Sequence, residues 1–206
     1  MKVLLLNGSP HEKGCTYTAL TVIAERLKTY DIDSEIMHIG MQPISGCIAC
    51  KKCVELGKCV FDDKVSEFTN KMKTVDGLII GSPVYYAAAS GQVTAFLDRA
   101  FYSAGKTMDG KPGAAIVSCR RGGASAAFDQ LNKYFSISNM PIVTSNYWNQ
   151  VHGNTPEEVL QDEEGIQTMQ VLADNMAWLI SCIEIAKEKG INVPVRPMKK
   201  RTNFIR

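Results

Sequence analysis

Five short apolar runs divide the chain, and segments with helical periodicity lie between them. The runs span residues 2–6, 33–38, 77–81, 114–119 and 142–145. The first, third and fourth are apolar almost throughout, as is typical of central strands in a parallel sheet that is buried on both faces. The pattern therefore predicts five strands with helices between them.

The segments between these runs place apolar residues three or four positions apart, as on the buried face of an amphipathic helix. The last segment is the most regular, with a stripe formed by Met169, Leu172, Met176, Leu179, Ile180 and Ile183. Asp174 and Asn175 interrupt this stripe, which argues against a helix that spans a membrane. We therefore expect the methionine-rich face to pack in the core.

Alternating strands and helices predict an α/β protein with a doubly wound, five-stranded parallel sheet in three α/β/α layers. The flavodoxin-like strand order 2-1-3-4-5 fits this pattern, and its ligand crevice lies beyond the carboxyl ends of the strands. The loops after the first, third and fourth strands are then the candidate binding loops. We expect one domain over residues 1–190, including a cysteine-rich loop at 40–62, and a basic tail at 191–206.

Charge and composition narrow the possible partners. The 206 residues include 23 basic and 21 acidic side chains, giving a net charge of +2, which is too balanced for nucleic acid or an anionic membrane as the main partner. The basic segment 196–206 is interpreted as a solvated or subunit-clasping tail, or as a docking arm for an acidic partner. Because neither a secretory signal nor a membrane-spanning stretch is found, we expect a cytoplasmic protein with reduced cysteines.

The loop after the first strand, residues 7–16, has the features of a phosphate-binding loop. It leads into a helix N-terminus, whose unpaired N–H groups and positive dipole end attract anions, and Ser9 and Thr16 add hydroxyl donors. Cys15 stands where a P-loop has its lysine, so a monophosphate fits better than a triphosphate. The alternative is a capped loop without a ligand.

The loops after the third and fourth strands add aromatic, small and basic residues. Residues 82–91 hold Tyr85 and Tyr86 among small neighbours, which suits stacking on a flat heterocycle. Residues 118–125 hold two arginines beside paired glycines, which allow close approach to an anionic ligand. The alternatives are ordinary loop tyrosines and a helix-entry turn. The predicted fold brings all three loops to one crevice, and this convergence favours a binding site.

Three motifs in these loops together resemble the flavodoxin-like NAD(P)H-dependent FMN reductase family. They are Ser9-Pro10-His11-x-x-Gly14-x-Thr16, Ser82-Pro83-Val84-Tyr85-Tyr86 and Arg121-Gly122-Gly123. The resemblance covers nearly the whole chain, and the combination of motifs is more specific for FMN than any one of them.

The resemblance implies a set of FMN-binding residues in three groups. Those expected at the phosphate are Ser9, Cys15 and Thr16, and His11 of the same loop is expected to be a further cofactor-binding residue. Those expected along the ribityl chain and the isoalloxazine ring are Pro83, Val84, Tyr85 and Tyr86. Those expected on the other side of the ring are Cys119, Arg120, Arg121, Gly122 and Gly123.

A compact run of cysteines has the spacing C-x2-C-x2-C-x5-C and consists of Cys47, Cys50, Cys53 and Cys59. Thiolates bind zinc and iron–sulfur clusters, and a single compact run favours a [4Fe–4S] cluster over zinc. Neighbouring lysines are expected to lower the thiol pKa values. The spacing is similar to that of iron–sulfur flavoproteins, whose cluster relays electrons to FMN. A cluster, a zinc ion and free redox-active thiols all stay open, whereas Cys182 is expected to be a buried apolar residue.

These observations and the resemblance predict an FMN-dependent oxidoreductase that uses NAD(P)H to reduce the flavin. The reduced flavin would then reduce a small acceptor such as a quinone, an azo or nitro aromatic, or free flavin. Because the flavin carries the chemistry, no protein nucleophile is required. Tyr85, Arg120 and Arg121 are the catalytic candidates, the arginines by stabilising anionic reduced flavin.

Other functions stay open beside this one. The main alternative is an iron–sulfur flavoprotein that transfers electrons through a [4Fe–4S] cluster and FMN with a ferredoxin-type partner. A protein electron carrier and a flavin- or thiol-sensing module are further alternatives. We also expect a homodimer or homotetramer, because related reductases complete the flavin pocket with a neighbouring subunit.

Overall fold

The computed structural model describes residues 1–198, 200, 202 and 204. Its strands are β1 (Lys2–Asn7), β2 (Asp33–His38), β3 (Gly77–Tyr85), β4 (Ala88–Ala89), β5 (Gly113–Cys119) and β6 (Gln150–His152). Its α-helices are α1 (Cys15–Lys28), α2 (Lys52–Leu56), α3 (Lys64–Lys71), α4 (Gly91–Ala104), α5 (Ala124–Ile137), α6 (Pro156–Gln161) and α7 (Glu163–Glu188). A short 3-10 helix, Gly105–Met108, follows α4.

The main strands form one parallel sheet in the order β2-β1-β3-β5-β6, and the short β4 pairs with β3 in antiparallel orientation. Without the β3–β4 hairpin, this is the predicted order 2-1-3-4-5, so the flavodoxin-like fold is confirmed. The register places Leu5 of β1 between Ile36 of β2 and Ile79 of β3.

Both faces of the sheet are covered by helices. On β1, Leu4 and Leu6 pack into one apolar core, whereas Val3 and Leu5 pack into the other, and all four side chains are fully buried. Double burial explains why the central strands are almost continuously apolar in sequence.

The position of the fifth main strand was predicted wrongly. Residues 142–145 contribute only a single bridge, between Ile142 and Gly113, and the strand itself is β6. Proline at 141 cannot donate a ladder hydrogen bond, which weakens the earlier apolar run as a strand. The buried Asn149 instead leads the chain into β6, because its Nδ2 donates to the Ala115 carbonyl (3.0 Å) and its carbonyl accepts from Val117 N (3.0 Å).

The long helix α7 packs its predicted apolar stripe against the sheet, and Met169, Leu172 and Met176 are fully buried. Cys182, by contrast, is exposed, so its prediction as a buried residue was wrong. It follows the buried Ile180 by two positions, which is a rotation of about 200° around the helix. Within the described residues, no helix, α7 included, combines the length and apolar character needed to cross a membrane.

The start of the basic tail folds back on its own chain. Arg196 Nε lies 3.5 Å from Asp109 Oδ1, and the Val193 side chain covers Gly110. Of the other basic tail residues, Lys200 is described and exposed, and the remaining ones lie outside the described residues, namely Lys199, Arg201 and Arg206.

A strained two-residue turn joins β3 to β4. Tyr86 (φ 50°) and Ala87 (φ 58°) form it between the paired Tyr85 and Ala88, and both adopt the left-handed conformation. Hairpin turns of this kind favour Asn and Gly, because other residues lose about 1–2 kcal/mol each in this region.

We predict that Ala87→Gly increases the free energy of unfolding by about 0.5–1 kcal/mol, since relief of strain outweighs the added flexibility of the unfolded chain. The matched control is Ala88→Gly. Ala88 lies in the extended strand β4, so this substitution should lower the free energy of unfolding by about 0.5–1 kcal/mol. Urea denaturation of both variants measures the difference. Equal losses in the two variants would mean that the turn is not strained.

Candidate functional site

A cavity of about 250 Å³ lies at the carboxyl edge of the sheet, where the loops after β1, β3, β5 and β6 meet. Its lining residues are Ser9, His11, Cys15, Thr16, Pro83, Val84, Tyr85, Ser118, Cys119, Arg120, Gly153 and Asn154. The structure therefore brings most of the predicted cofactor-binding residues together in one place. As cofactor contacts, they stay predictions.

Four of the predicted residues do not line this cavity. Tyr86 is fully exposed at the tip of the hairpin, and Arg121 and Gly122 are exposed on the turn before α5. Gly123 (φ 91°) packs beneath the hairpin, where a Cβ atom would lie 2.7 Å from the Ala87 Cα. Gly123 thus allows the β5–α5 turn and the hairpin to approach each other.

Sequence reasoning missed three lining residues. Gly153 and Asn154 follow β6, and they were overlooked because the fifth strand was placed too early. The Gly-Asn pair directly after Val151-His152 is a turn signal that could have identified them. Ser118 is the penultimate residue of β5, and no sequence signal distinguished it from other strand residues.

The N-terminus of α1 opens into the cavity without an anionic or hydroxyl cap. In the described chain, its N-cap Gly14 makes no side-chain hydrogen bond and its first turn contains no acidic residue. Helices α3, α4 and α7, by contrast, are capped by the side chains of Asp63, Ser90 and Asp162. An uncapped N-terminus leaves N–H donors for an anion such as a phosphate group.

The loop before α1 is held in shape by its own polar groups. The fully buried Asn7 accepts from Ser9 N through Oδ1 (3.1 Å) and donates to the Glu12 carbonyl through Nδ2 (3.0 Å). Ser9 Oγ accepts from His11 N (3.1 Å), and the His38 ring bonds the Ser9 carbonyl through Nε2 (2.8 Å). The loop is therefore shaped before any ligand binds, and His38 helps to hold it.

A pair of hydroxyl groups closes the floor of the cavity. Thr16 Oγ1 and Ser118 Oγ lie 2.8 Å apart and share a hydrogen bond. Both residues are buried, so this bond ties the first turn of α1 to the end of β5. Ser118 thus positions the hydroxyl group that the sequence assigned to phosphate binding.

Two thiols in the cavity are protonated at neutral pH. Burial raises the pKa of Cys15, and the nearby carboxylates of Glu158 and Glu157 add to the effect. Burial also raises the pKa of Cys119. Neither thiol therefore contributes negative charge where an anionic ligand would bind.

A second, smaller cavity of about 20 Å³ lies along α4. All four cysteines of the compact run line it, together with Arg99, Tyr102 and Ser103 of α4. Cys47 and Cys50 are exposed, whereas Cys53 and Cys59 are half-buried. The chain thus gathers four thiols around one space.

The thiol acidity differs from the expectation. The pKa of Cys53 is raised, mainly by burial and further by the other three thiols, so the prediction that Lys51, Lys52 and Lys58 lower it was wrong for this residue. Crowding of four sulfur atoms is costly when they ionise together, unless a cation or cluster compensates their charge.

The donor set of this cavity is four thiols. Among the described residues, no group of three or more His, Cys, Asp or Glu side chains is arranged to hold one metal ion, so the zinc interpretation gains no support and the cluster stays a prediction. The four thiolates of a [4Fe–4S] cluster bind different iron atoms and lie farther apart than the ligands of one ion. Four thiols lining one cavity match that donor set.

Helix α4 connects the two cavities. At its start, Ser90 Oγ donates to the Gly8 carbonyl (2.9 Å) below the phosphate-type loop, and Gln92 Nε2 donates to the Gly40 carbonyl (3.0 Å) at the beginning of the cysteine loop. Arg99 lies nine residues beyond Ser90, about 14 Å along the helix axis. Within the described residues the two cavities share no lining residue.

Comparisons with known proteins agree with this architecture. Residues 1–155 match the model of the family described as NADPH-dependent FMN reductase. The chain is 30% identical over 192 residues to an iron–sulfur flavoprotein of Methanocaldococcus jannaschii, covering 89% of this chain and all of that protein. It is 31% identical over 99 residues to an FMN reductase (NADPH) of Escherichia coli, covering 48% of this chain and 47% of that protein.

A solved structure supports the fold. The apo form of an NADH:FMN oxidoreductase is similar with a TM-score of 0.62 at 18% identity, covering 86% of this chain and 88% of that one. Family match, relatives and site architecture lead to one conclusion: the chain is an oxidoreductase that belongs to the NADPH-dependent FMN reductase family.

Proposed function

We propose that the protein binds FMN in the cavity at the carboxyl edge of the sheet and uses NAD(P)H to reduce it, passing the electrons to a small acceptor. The acceptor class is a quinone, an azo or nitro aromatic, or free flavin. The observation that carries the proposal is the uncapped N-terminus of α1, which opens into a cavity lined by Tyr85 and Arg120.

The residues of the cavity suit FMN. The first turn of α1 and the Ser9 hydroxyl supply donors for a phosphate group, and the neighbouring thiols of Cys15 and Cys119 stay neutral. Tyr85 is 45% exposed and offers an aromatic face. When bound, FMN supplies the hydride-accepting chemistry, and the chain binds and orients it.

Arg120 supplies positive charge at the same cavity. It is exposed and lines the cavity from the turn directly after β5. Reduction of a flavin at neutral pH adds negative charge, which a nearby guanidinium stabilises. Arg120 is therefore the proposed electrostatic catalyst.

The size of the site supports a homo-oligomer. The cavity of about 250 Å³ is smaller than the roughly 300–1,000 Å³ typical of sites for ligands of this size. An adjoining groove of about 680 Å³ shares His11, Cys15 and Asn154 with it. A flavin bound here keeps an open edge, which we propose a second subunit of a homodimer or homotetramer covers in part.

A second function is favoured by the cysteine cavity. Two observations support a [4Fe–4S] cluster held by Cys47, Cys50, Cys53 and Cys59. The four thiols line one cavity, and a relative that this chain covers over its whole length is named iron–sulfur flavoprotein. We propose that the cluster exchanges single electrons with FMN and with a ferredoxin-type partner. Activity with reduced ferredoxin, compared with activity with NAD(P)H, separates the two functions.

We predict that flavin released from the protein is FMN and that Cys15→Asp weakens its binding at least tenfold, about 1.4 kcal/mol. The carboxylate would repel the phosphate at the N-terminus of α1, yet an acid at this position favours the helix itself. Cys15→Asn is the uncharged control of the same shape. Titration of the apoproteins with FMN, followed by flavin fluorescence, measures the affinity, and a thermal melt measures the stability of the helix and the protein. Equal FMN affinities of the two variants would contradict the phosphate site.

Replacing Arg120 by Gln should slow NAD(P)H oxidation with a quinone acceptor about tenfold at saturating FMN, because less negative charge is stabilised on the reduced flavin. Arg121→Gln removes the same charge one residue away, outside the cavity lining, and serves as the control. Steady-state kinetics compare them. If both variants lose activity equally, the effect is one of general surface charge.

Protein purified without oxygen should contain about four irons per chain, as four thiolate ligands imply. Cys50→Ser should lose the iron and retain FMN, because Cys50 lies outside the flavin cavity. The control is Cys182→Ser on the exposed side of α7, which should retain both. Assays of iron and flavin content in each protein measure these outcomes. If the wild-type protein still contains no iron after anaerobic reconstitution, the cluster proposal is refuted.

A further inference from the structure

A buried arginine lies between the cysteine loop and the start of α3. The Arg99 side chain on α4 is 1% exposed. Its guanidinium donates to both carboxylate oxygens of Asp63 (2.7 and 3.0 Å), and it lies over the Phe61 ring at 4.7 Å from the centroid. A charge removed from water in this way requires compensation, which the two-point contact with Asp63 provides.

Two further donors of Arg99 are directed at sulfur. Nε and Nη2 each lie 3.3 Å from Cys59 Sγ, and Nη1 also donates to the Ser45 carbonyl (3.3 Å). A neutral thiol is a weak hydrogen-bond acceptor, so two hydrogen bonds from one guanidinium to such a sulfur atom would both be weak. A thiolate ligand of a metal cluster carries negative charge and accepts such hydrogen bonds well.

Cys59 is the cysteine that most needs positioning. It is separated from Cys53 by the longest gap of the motif, and α2 ends between them at Gly57 (φ 66°). Residues 57–63 form no helix or strand in the described chain. Arg99 and Asp63 therefore hold this irregular segment, and Asp63 Oδ1 also accepts from Val65 N (3.0 Å) to cap α3.

We propose that Arg99 positions Cys59 as the fourth ligand of the cluster and raises the reduction potential of the cluster. We propose also that the carboxylate of Asp63 lowers this potential. Both effects rest on the cluster proposed above. One-electron reduction of a cluster, by a ferredoxin-type donor or a chemical reductant, adds one negative charge to it. A cation hydrogen-bonded to a ligand sulfur stabilises the reduced form, whereas a neighbouring carboxylate destabilises it.

The two residues therefore have opposite predicted effects, which a purely structural role would not give. Arg99→Lys keeps a positive charge for Asp63 but loses the paired hydrogen bonds to sulfur, so the midpoint potential should fall. Asp63→Asn keeps an oxygen to cap α3 but removes the carboxylate charge, so the midpoint potential should rise. Lys64→Gln is the control, because Lys64 is exposed and pairs with Glu67.

The experiment is a potentiometric titration of the anaerobic holoprotein, followed by electron paramagnetic resonance, with iron and FMN assayed in each sample. At a fixed potential, we expect the ratio of reduced to oxidised cluster to change at least tenfold, about 59 mV, in opposite directions for Arg99→Lys and Asp63→Asn. Lys64→Gln should match the wild type.

The outcomes separate this inference from the cluster proposal. Wild-type protein without iron refutes the cluster and the inference with it. Wild-type protein with iron whose midpoint is unmoved in both variants, or moves in the same direction in both, overturns the role of Arg99 and leaves the cluster standing. If Arg99→Lys fails to fold, the Asp63→Asn titration decides, and an unchanged or lowered midpoint overturns the inference.

Discussion

The burial of β1 on both faces is the constraint on which the rest of the structure depends. Val3 and Leu5 face one core and Leu4 and Leu6 face the other, so the strand leaves no polar surface within the sheet. Polar side chains instead gather at the edge where the strands end, which is where ligands of open parallel sheets bind. Asn7, at the end of β1, begins the hydrogen-bond network that shapes the phosphate-type loop.

The cavity is built from features that cost stability locally. The N-cap residues of α1 and α5 are Gly14 and Gly123, and neither makes a side-chain capping bond in the described chain, which costs roughly a few tenths of a kcal/mol relative to a serine or aspartate cap. The hairpin of Tyr86 and Ala87 adds backbone strain beside them. Such features persist at binding sites, where a ligand satisfies groups that the chain leaves unpaired.

Helix α4 gives the molecule its second site. Its first turn supports the flavin-type cavity through Ser90, and its later turns bring Arg99 to the cysteine loop. The helix places Ser90 and Arg99 about 14 Å apart along its axis, and so sets the separation between the two cavities. Within the described residues the two cavities share no lining residue, so each can be altered without changing the other.

The sequence by itself determined the fold class, the order of the main strands and three of the four loops that meet at the crevice. Continuous apolar runs and helical stripes depend on local periodicity, which does not require knowledge of distant contacts. The cysteine motif was equally readable, because its spacing is local.

The tertiary structure alone decided which residues share a surface. β6 was misplaced because a three-residue strand such as Gln150–His152 is defined by pairing with β5 rather than by its composition. Arg99 had no sequence signal, since its partners Cys59 and Asp63 lie 40 and 36 positions away. The same holds for the bond between Thr16 and Ser118, because long-range hydrogen bonds depend on how the chain folds back on itself.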